Sequence, residues 1–358
     1  MIAMRLDIEP YSLNKTEKHK ELTEELSVLT QMHYKQSVLY RRMLDAMSFD
    51  VNSISDFYDI PFLPVRLFKD MDLLSVPENA IVKTMTSSGT TGQKVSKIYL
   101  DKETASNQTK VLTKIVSDFI GKKRMPMLII DSASILKDRQ LFSARGAGII
   151  GFSIFGSKRM YALDENMQLD IPAIKSFLED CKGETMLLFG FTFMIWHHFY
   201  KELIKTGFRP DLSAAILIHG GGWKRLQSES VSKEEFKQKL KETCGIKHIH
   251  DYYGMVEQTG TIYMECEHGR LHASVFSDVI IRRVKDFSIA ANGERGLIQV
   301  LSVLPQSYPG HSLLTEDEGI LLGEDDCLCG RQGKYFKIEG RIKNTEIRGC
   351  SDTYAPQF

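Results

Sequence analysis

Between residues 14 and 50 the apolar positions recur at helical spacing, with Leu22, Leu26, Leu29 and Met32 set among Lys and Glu. This period predicts a helical N-terminal lobe which, with its connector, fills 1–80. Pro61, Pro64 and Pro77 break the period and predict that extended connector. From about residue 81 the pattern changes. Met127–Ile130, Met186–Phe189 and Ala214–Ile218 are short unbroken apolar runs, expected of strands buried on both faces. Asp170–Asp180 and Lys233–Glu242 are amphipathic and predict intervening helices. Alternating strands and helices predict an α/β sheet covered by helices over 81–261. Val279–Arg283 and Leu297–Val303 then read as strands between Gly and Pro turns, so a β-rich subdomain is expected over 262–338, with 339–358 left as a hinge and tail. The chain shows no internal repeat and no low-complexity tract. The longest apolar stretch, Thr185 to Trp196, is interrupted by Gly190 and is shorter than the roughly 20 residues of a membrane span. It is expected to be a buried strand running into a loop and helix.

Composition narrows the function classes. The 358 residues exceed what one core usually holds, so two lobes are expected. Lys+Arg and Asp+Glu both number 46, and this balance gives no support to nucleic-acid binding. The opening MIAMRLDIEP has no apolar core of a secretory signal. Six cysteines in such a chain are expected to be thiols or metal ligands, and the cytoplasm is the consistent compartment.

The strongest local signal is Thr86-Ser87-Ser88-Gly89-Thr90-Thr91-Gly92-Gln93-Lys94. Two glycines permit tight turns that aim several N–H groups at one anion, the hydroxyls add donors, and Lys94 adds a full charge. That chemistry suits a polyphosphate, although the spacing is not that of a Walker loop; the alternative is a polar surface hairpin. A second glycine string, Gly146-Ala147-Gly148-Ile149-Ile150-Gly151, has the G-x-G-x-x-G form, but neither a clean preceding strand nor a following acidic strand end supports a dinucleotide site.

The Ser/Thr/Gly loop resembles the phosphate loop of the adenylate-forming superfamily, and further pieces follow in that family's order. Ile218-His219-Gly220-Gly221-Gly222-Trp223 resembles the turn along the adenine. Tyr252-Tyr253-Gly254-Met255-Val256-Glu257 resembles the Tyr-Gly-x-Thr-Glu box, with Val256 in place of Thr. Gly293-Glu294-Arg295-Gly296 resembles the Gly-Glu-x-Gly turn, Thr315-Glu316-Asp317 the ribose-binding segment, and Gly340-Arg341-Ile342-Lys343 the hinge. The resemblance implies an adenylate-forming large domain that binds ATP and Mg²⁺. Tyr253 would stack on adenine. Asp317 would accept from the ribose hydroxyls, Arg341 would reach ribose or phosphate, and Glu257 would ligate Mg²⁺. Most acyl-CoA ligases carry about 100 further residues with a catalytic lysine. Here the C-terminal small domain is expected to be essentially missing, and the lysine that assists adenylation is unassigned.

The length, the tail around Cys350, and Ile60-Pro61-Phe62-Leu63-Pro64-Val65-Arg66-Leu67-Phe68-Lys69 closely resemble the LuxE-type acyl-protein synthetases, relatives of the phenylacetate–CoA ligases. This resemblance implies that a fatty acid and ATP give acyl-AMP, that Cys350 takes the acyl group, and that a partner acyl reductase receives it. Arg348 beside Cys350 favours the thiolate. A CoA ligase and a non-catalytic nucleotide-binding regulatory subunit are the competing readings.

Cys266, His272, Cys327 and Cys329 have ligand types suited to tetrahedral zinc, with His268 a competing nitrogen donor; reduced cysteines beside a turn are the alternative. Cys181 and Cys244 are expected to be packing residues. His219 ends an apolar run before the glycines and is a candidate for the site's lining, whereas His197 and His198 read as structural. Phe189, Gly190, Phe191 and Thr192 end another strand, where an acyl-tunnel wall and plain core are equally good readings.

Overall fold

In the computed structural model, residues 6–87, 94–137, 144–223 and 229–342 are described. They form two compact units, one of residues 6–87, 94–119 and 254–342, the other of residues 120–137, 144–223 and 229–253.

The first unit begins with the helices Lys15–Gln36 and Val38–Ala46. Asn14 caps the first by accepting from the Thr16 and Glu17 amides, and Glu17 returns the bond in a capping box. Leu22, Leu26 and Leu29 are buried as their spacing predicts, but so are Lys18 and His33 on the same helix. Strands β1 (Leu63–Pro64), β2 (Ile81–Thr86) and β3 (Lys97–Asp101) follow, the last two forming an antiparallel hairpin. The helix Lys102–Ile120 leaves this hairpin.

The second unit holds β4 (Met125–Ser132), β5 (Gly156–Leu163), β6 (Met186–Phe191), β7 (Ala215–Gly220) and β8 (His248–Tyr253). Their order is β8-β7-β6-β4-β5 and every pairing is parallel. All residues of β4 and β6 are buried, which is why both read as unbroken apolar runs. The helices Ala144–Ser153, Ile171–Asp180 and Lys233–Cys244 lie between the strands in sequence. Asp170 and Ser232 cap the last two through the Ala173 and Glu235 amides. No loop follows β6: the chain enters a helical turn at Thr192, then a π-helical turn over Ile195–Tyr200. The expected loop after this strand is therefore corrected. Trp196, Phe199 and Leu203 bury this continuous segment against the core.

The chain re-enters the first unit at Gly254 and adds β9 (Tyr263–Glu265), β10 (Leu271–His272), β11 (Ser277–Arg282), β12 (Arg295–Ser302), β13 (Ser312–Glu324) and β14 (Lys334–Arg341). These run in the order β11-β12-β13-β14-β10-β9, with antiparallel neighbours and β1 added parallel to β13. A fully buried ion group ties the N-terminal helix to this sheet. Lys18 and Lys334 lie 3.4 and 3.0 Å from opposite oxygens of Asp278. Burial opposes the Asp278 charge, yet the two ammonium groups outweigh it and hold the carboxyl below its ordinary range. Among the described residues, no helix is long and apolar enough to cross a membrane.

Candidate functional site

The described flanks of the Ser/Thr/Gly loop belong to the first unit. Thr86 pairs with Lys97 at the end of the β2–β3 hairpin. The Ser87 amide donates to the Ser96 carbonyl (3.1 Å), and the Ser96 amide donates to the Ser87 hydroxyl (2.9 Å). These bonds hold the two chain ends together. Ser88, Gly89, Thr90, Thr91 and Gly92 lie outside the described residues. Lys94, on the returning side, is ion-paired to Asp70 at 3.2 Å.

Glu257 sits just after Gly254 in a short helical turn and is 6% exposed. Burial raises its proton affinity, while the Ser96 hydroxyl and the positive charges of Lys69 and Arg341 act in the opposite sense. The Tyr308 hydroxyl donates to the Glu257 carbonyl oxygen at 2.8 Å. The Gln258 amide donates to the carbonyls of Gly310 (2.8 Å) and Val300 (3.2 Å). The acidic side chain thus stands on a fixed backbone.

Asp317 and Arg341 face each other across β13 and β14, and the Arg341 Nε donates to the Asp317 carboxylate at 2.8 Å. The Asp317 carboxylate is 14% exposed and the guanidinium 40%, which leaves the pair reachable by a solute. One guanidinium therefore meets Asp317 directly and acts on Glu257 electrostatically. Asp317 and Arg341, 24 residues apart in sequence, are thus neighbours in the first unit.

The second unit carries the other candidates. Gly220 closes β7, and a Cβ there would come within 2.6 Å of the Tyr252 ring, so only glycine fits. Gly221 and Gly222 have φ of +83° and +61°, left-handed values that glycine adopts without strain. Tyr253 ends β8 half-buried. His219 is buried and meets Thr192 and Asp251. Phe189 is buried and stacks on Phe152 with ring centres 4.3 Å apart. The glycines from Gly146 to Gly151 lie within a helix, where Gly148 would place a Cβ 3.0 Å from the Phe191 ring. They serve close packing and form no strand-to-helix turn. His198 donates from Nδ1 to the Met167 carbonyl at 3.1 Å, a structural bond.

Cys266, His272, Cys327 and Cys329 converge in the first unit, with their ligand atoms all within 4.8 Å of one another. The Cys266 and Cys327 sulfurs are 4.0 Å apart, and Cys329 Sγ is 3.4 Å from His272 Nε2. Zn–S and Zn–N bonds of ordinary length at tetrahedral angles put S···S at about 3.8 Å and S···N at about 3.6 Å. The chain thus has the size and donor set of a zinc site, built on His272 and not on His268. Burial lowers the His272 pKa to about 4, which keeps the ring neutral as a ligand must be. At Cys327 burial favours the thiol, but hydrogen bonds from Cys329, Arg270 and Cys266 prevail and favour the thiolate. Cys181 and Cys244 pack in the core of the second unit. Cys350 lies outside the described residues.

Sequence reasoning gave no role to Lys69, Asp70, Ser96 or Tyr308. Lys69 closes the Ile60–Lys69 stretch that resembles the family but drew no role from it; Asp70, Ser96 and Tyr308 stand in no motif, and the signal near Tyr308 is the following Pro309-Gly310 turn.

A family model described as acyl-protein synthetase, LuxE, matches residues 2–358. The long-chain-fatty-acid–luciferin-component ligase of Vibrio harveyi is 26% identical over 361 residues, spanning 96% of this chain and 89% of that protein. The protein of the same description from Aliivibrio fischeri is 29% identical over 140 residues, spanning 38% of this chain and 36% of its own. Among solved structures, 2-hydroxyisobutyryl-CoA ligase in complex with 2-HIB-AMP superimposes with a TM-score of 0.72 at 15% identity, covering 92% of this chain and 69% of that one. The likeness establishes an adenylate-forming ligase fold. The chain belongs to the LuxE family of acyl-protein synthetases and is an enzyme of the ligase class.

Proposed function

We propose that this enzyme uses ATP to activate a long-chain fatty acid as acyl-AMP, then carries the acyl group as a thioester on Cys350 for delivery to a partner acyl reductase. The observation that carries the reading is Arg341, whose guanidinium is bonded to Asp317 and lowers the proton affinity of Glu257. A candidate ribose-binding acid and a candidate metal-binding acid under the influence of one cation suit a nucleotide–Mg²⁺ complex, whose phosphates and ribose need positive charge and acceptors side by side. In this reading Gly220, Gly221, Gly222 and Tyr253 take the base, Asp317 and Arg341 the ribose, and the segment from Thr86 to Lys94 the phosphates. Glu257 holds Mg²⁺, which supplies charge neutralisation on the phosphates when bound.

A carboxylate oxygen of the fatty acid attacks the α-phosphorus and pyrophosphate leaves. The Cys350 thiolate then attacks the acyl carbon and AMP leaves, so the thiol proton is lost to solvent. The fatty-acid substrate is supported by the relatives whose names carry it. Zinc bound by Cys266, His272, Cys327 and Cys329 has a structural role in this proposal, since all four protein ligands close the coordination shell.

The test is intact-mass analysis after incubation with ATP, Mg²⁺ and a saturated long-chain fatty acid. The expected result is one added acyl group, labile to hydroxylamine and absent from Cys350→Ser. Adenylation without any adduct, together with acyl-CoA release on adding CoA, would overturn the acyl-enzyme step.

A further inference from the structure

Four polar side chains of the second unit form a line that ends on the Gly-rich turn. The Lys233 ammonium lies 3.3 Å from one oxygen of Asp251, and the other oxygen lies 3.7 Å from His219 Nδ1. That same nitrogen is 2.9 Å from the Thr192 hydroxyl, which is 3.1 Å from the Gly220 carbonyl oxygen. His219 and Thr192 are 4% and 5% exposed, so solvent does not supply these bonds. The arrangement is not a nucleophile–base–acid relay, because Thr192 and Asp251 face the same ring nitrogen rather than opposite ones.

Counting protons fixes the direction of each bond. A carbonyl oxygen accepts only, so Thr192 must donate its single hydroxyl proton to Gly220. Thr192 therefore accepts from His219, and the neutral imidazole carries its proton on Nδ1. Asp251, in electrostatic range of that nitrogen, favours the same state. The peptide following Gly220 is planar, so its N–H points opposite to its C=O. Pinning the Gly220 oxygen on Thr192 aims the Gly221 N–H away from Thr192. Gly221 and Gly222 have no side chains to hold them there and sit at φ of +83° and +61°. Pairing with β6 and β8 holds Gly220 along the strand, and Thr192 adds a side-chain bond to its carbonyl oxygen where the chain turns out of the sheet. Register places it well, because Phe191, the residue before it, pairs with Gly220.

We infer that Thr192, oriented by His219, is a positioning residue that fixes the Gly220–Gly221 peptide for recognition of the purine base. This rests on the reading of the Gly220–Gly222 turn as the adenine-binding segment. The sequence alone pointed to the glycines and left Thr192 as the end of a strand.

Titration calorimetry of the whole chain with ATP·Mg²⁺ and GTP·Mg²⁺ tests it, on the wild type, Thr192→Val and Thr192→Ser. Valine keeps the shape of threonine and removes the hydroxyl, whereas serine keeps the hydroxyl. Loss of one oriented hydrogen bond is expected to weaken ATP binding about 5- to 10-fold in Thr192→Val. GTP should be affected less, so the ATP-over-GTP preference narrows. Thr192→Ser should bind ATP within about twofold of the wild type, a rescue that a packing role for the methyl group would not give. Unchanged ATP affinity in Thr192→Val, or equal loss in both variants, overturns the inference while the nucleotide site stands. A wild type that binds neither nucleotide overturns both.

Discussion

A buried carboxylate proposed to hold a hard cation faces competition from protons, and in that proposal Glu257 meets both sides of it. Removal from water favours its neutral acid, while Ser96, Lys69 and Arg341 favour the anion, and the balance leaves its pKa above that of an ordinary glutamate. The sign follows directly. As pH falls, Glu257 takes up its proton at a higher pH than an exposed glutamate would, and the protonated acid no longer binds Mg²⁺. The Mg²⁺ concentration for half-maximal pyrophosphate exchange is therefore expected to rise as the pH is lowered. In Glu257→Gln, which keeps the shape but lacks the charge, exchange should drop about 100-fold or more at low Mg²⁺ and lose that pH dependence. Equal Mg²⁺ requirements in the two proteins would remove Glu257 from the metal site. Glu257, Asp317 and Arg341 stood out in the sequence through the motifs that resemble the adenylate-forming superfamily. The carbonyl bond from Tyr308 that holds Glu257 in place was not legible, because it joins positions 51 residues apart with no shared motif.

The elements differ in how much of themselves the chain displays. Strands β4, β6 and β7 are buried on both faces, so an unbroken apolar run is their physical signature. The hairpin β2–β3 was hidden because its outer face alternates weakly, with Val82, Lys83 and Thr84 all exposed. Register is the other thing a single chain does not display. Bulges between Glu318 and Gly319 and between Leu321 and Gly323 shift the pairing that sets Asp317 opposite Arg341. The cysteine cluster is an element-scale feature as well. It joins the β9–β10 hairpin to the turn between β13 and β14, where the Gly330 amide donates to the Cys327 carbonyl at 2.9 Å. A bound metal would cross-link these two segments, so binding free energy becomes stability. Purified protein denatured in a chromogenic chelator is expected to release one zinc per chain. Cys327→Ser should lower that yield to near zero and reduce the melting temperature by several degrees. Stoichiometric zinc in Cys327→Ser would show that the metal sits elsewhere.

At the scale of the molecule, linear order conceals how the units are built. The first unit joins residues 6–87 and 94–119 to residues 254–342, with the parallel sheet inserted between them in sequence. The buried Lys18–Asp278–Lys334 group and the stacked His33–His311 pair, 4.9 Å between ring centres, both join the early helix to the late segments. Such long-range polar contacts make stability depend on pH. His33 Nε2 donates to the Pro305 carbonyl at 3.0 Å, and in the neutral ring Nδ1 accepts from the Ser75 hydroxyl at 2.7 Å. Burial lowers the His33 pKa from 6.5 to about 3, drives that of His311 well below 6.5, and brings His198 in the second unit to about 4. In each case the unfolded chain binds the proton more tightly than the folded one. The stability these rings contribute is thus complete above pH 6.5 and is lost as pH falls toward the folded values, at about 1.4 kcal/mol per pH unit for each ring. The urea midpoint is expected to fall steeply between pH 7 and pH 5, and less steeply in His33→Asn, which has no titrating ring. A midpoint independent of pH over this interval would mean that the buried histidines are reached by solvent and carry their charge at little cost.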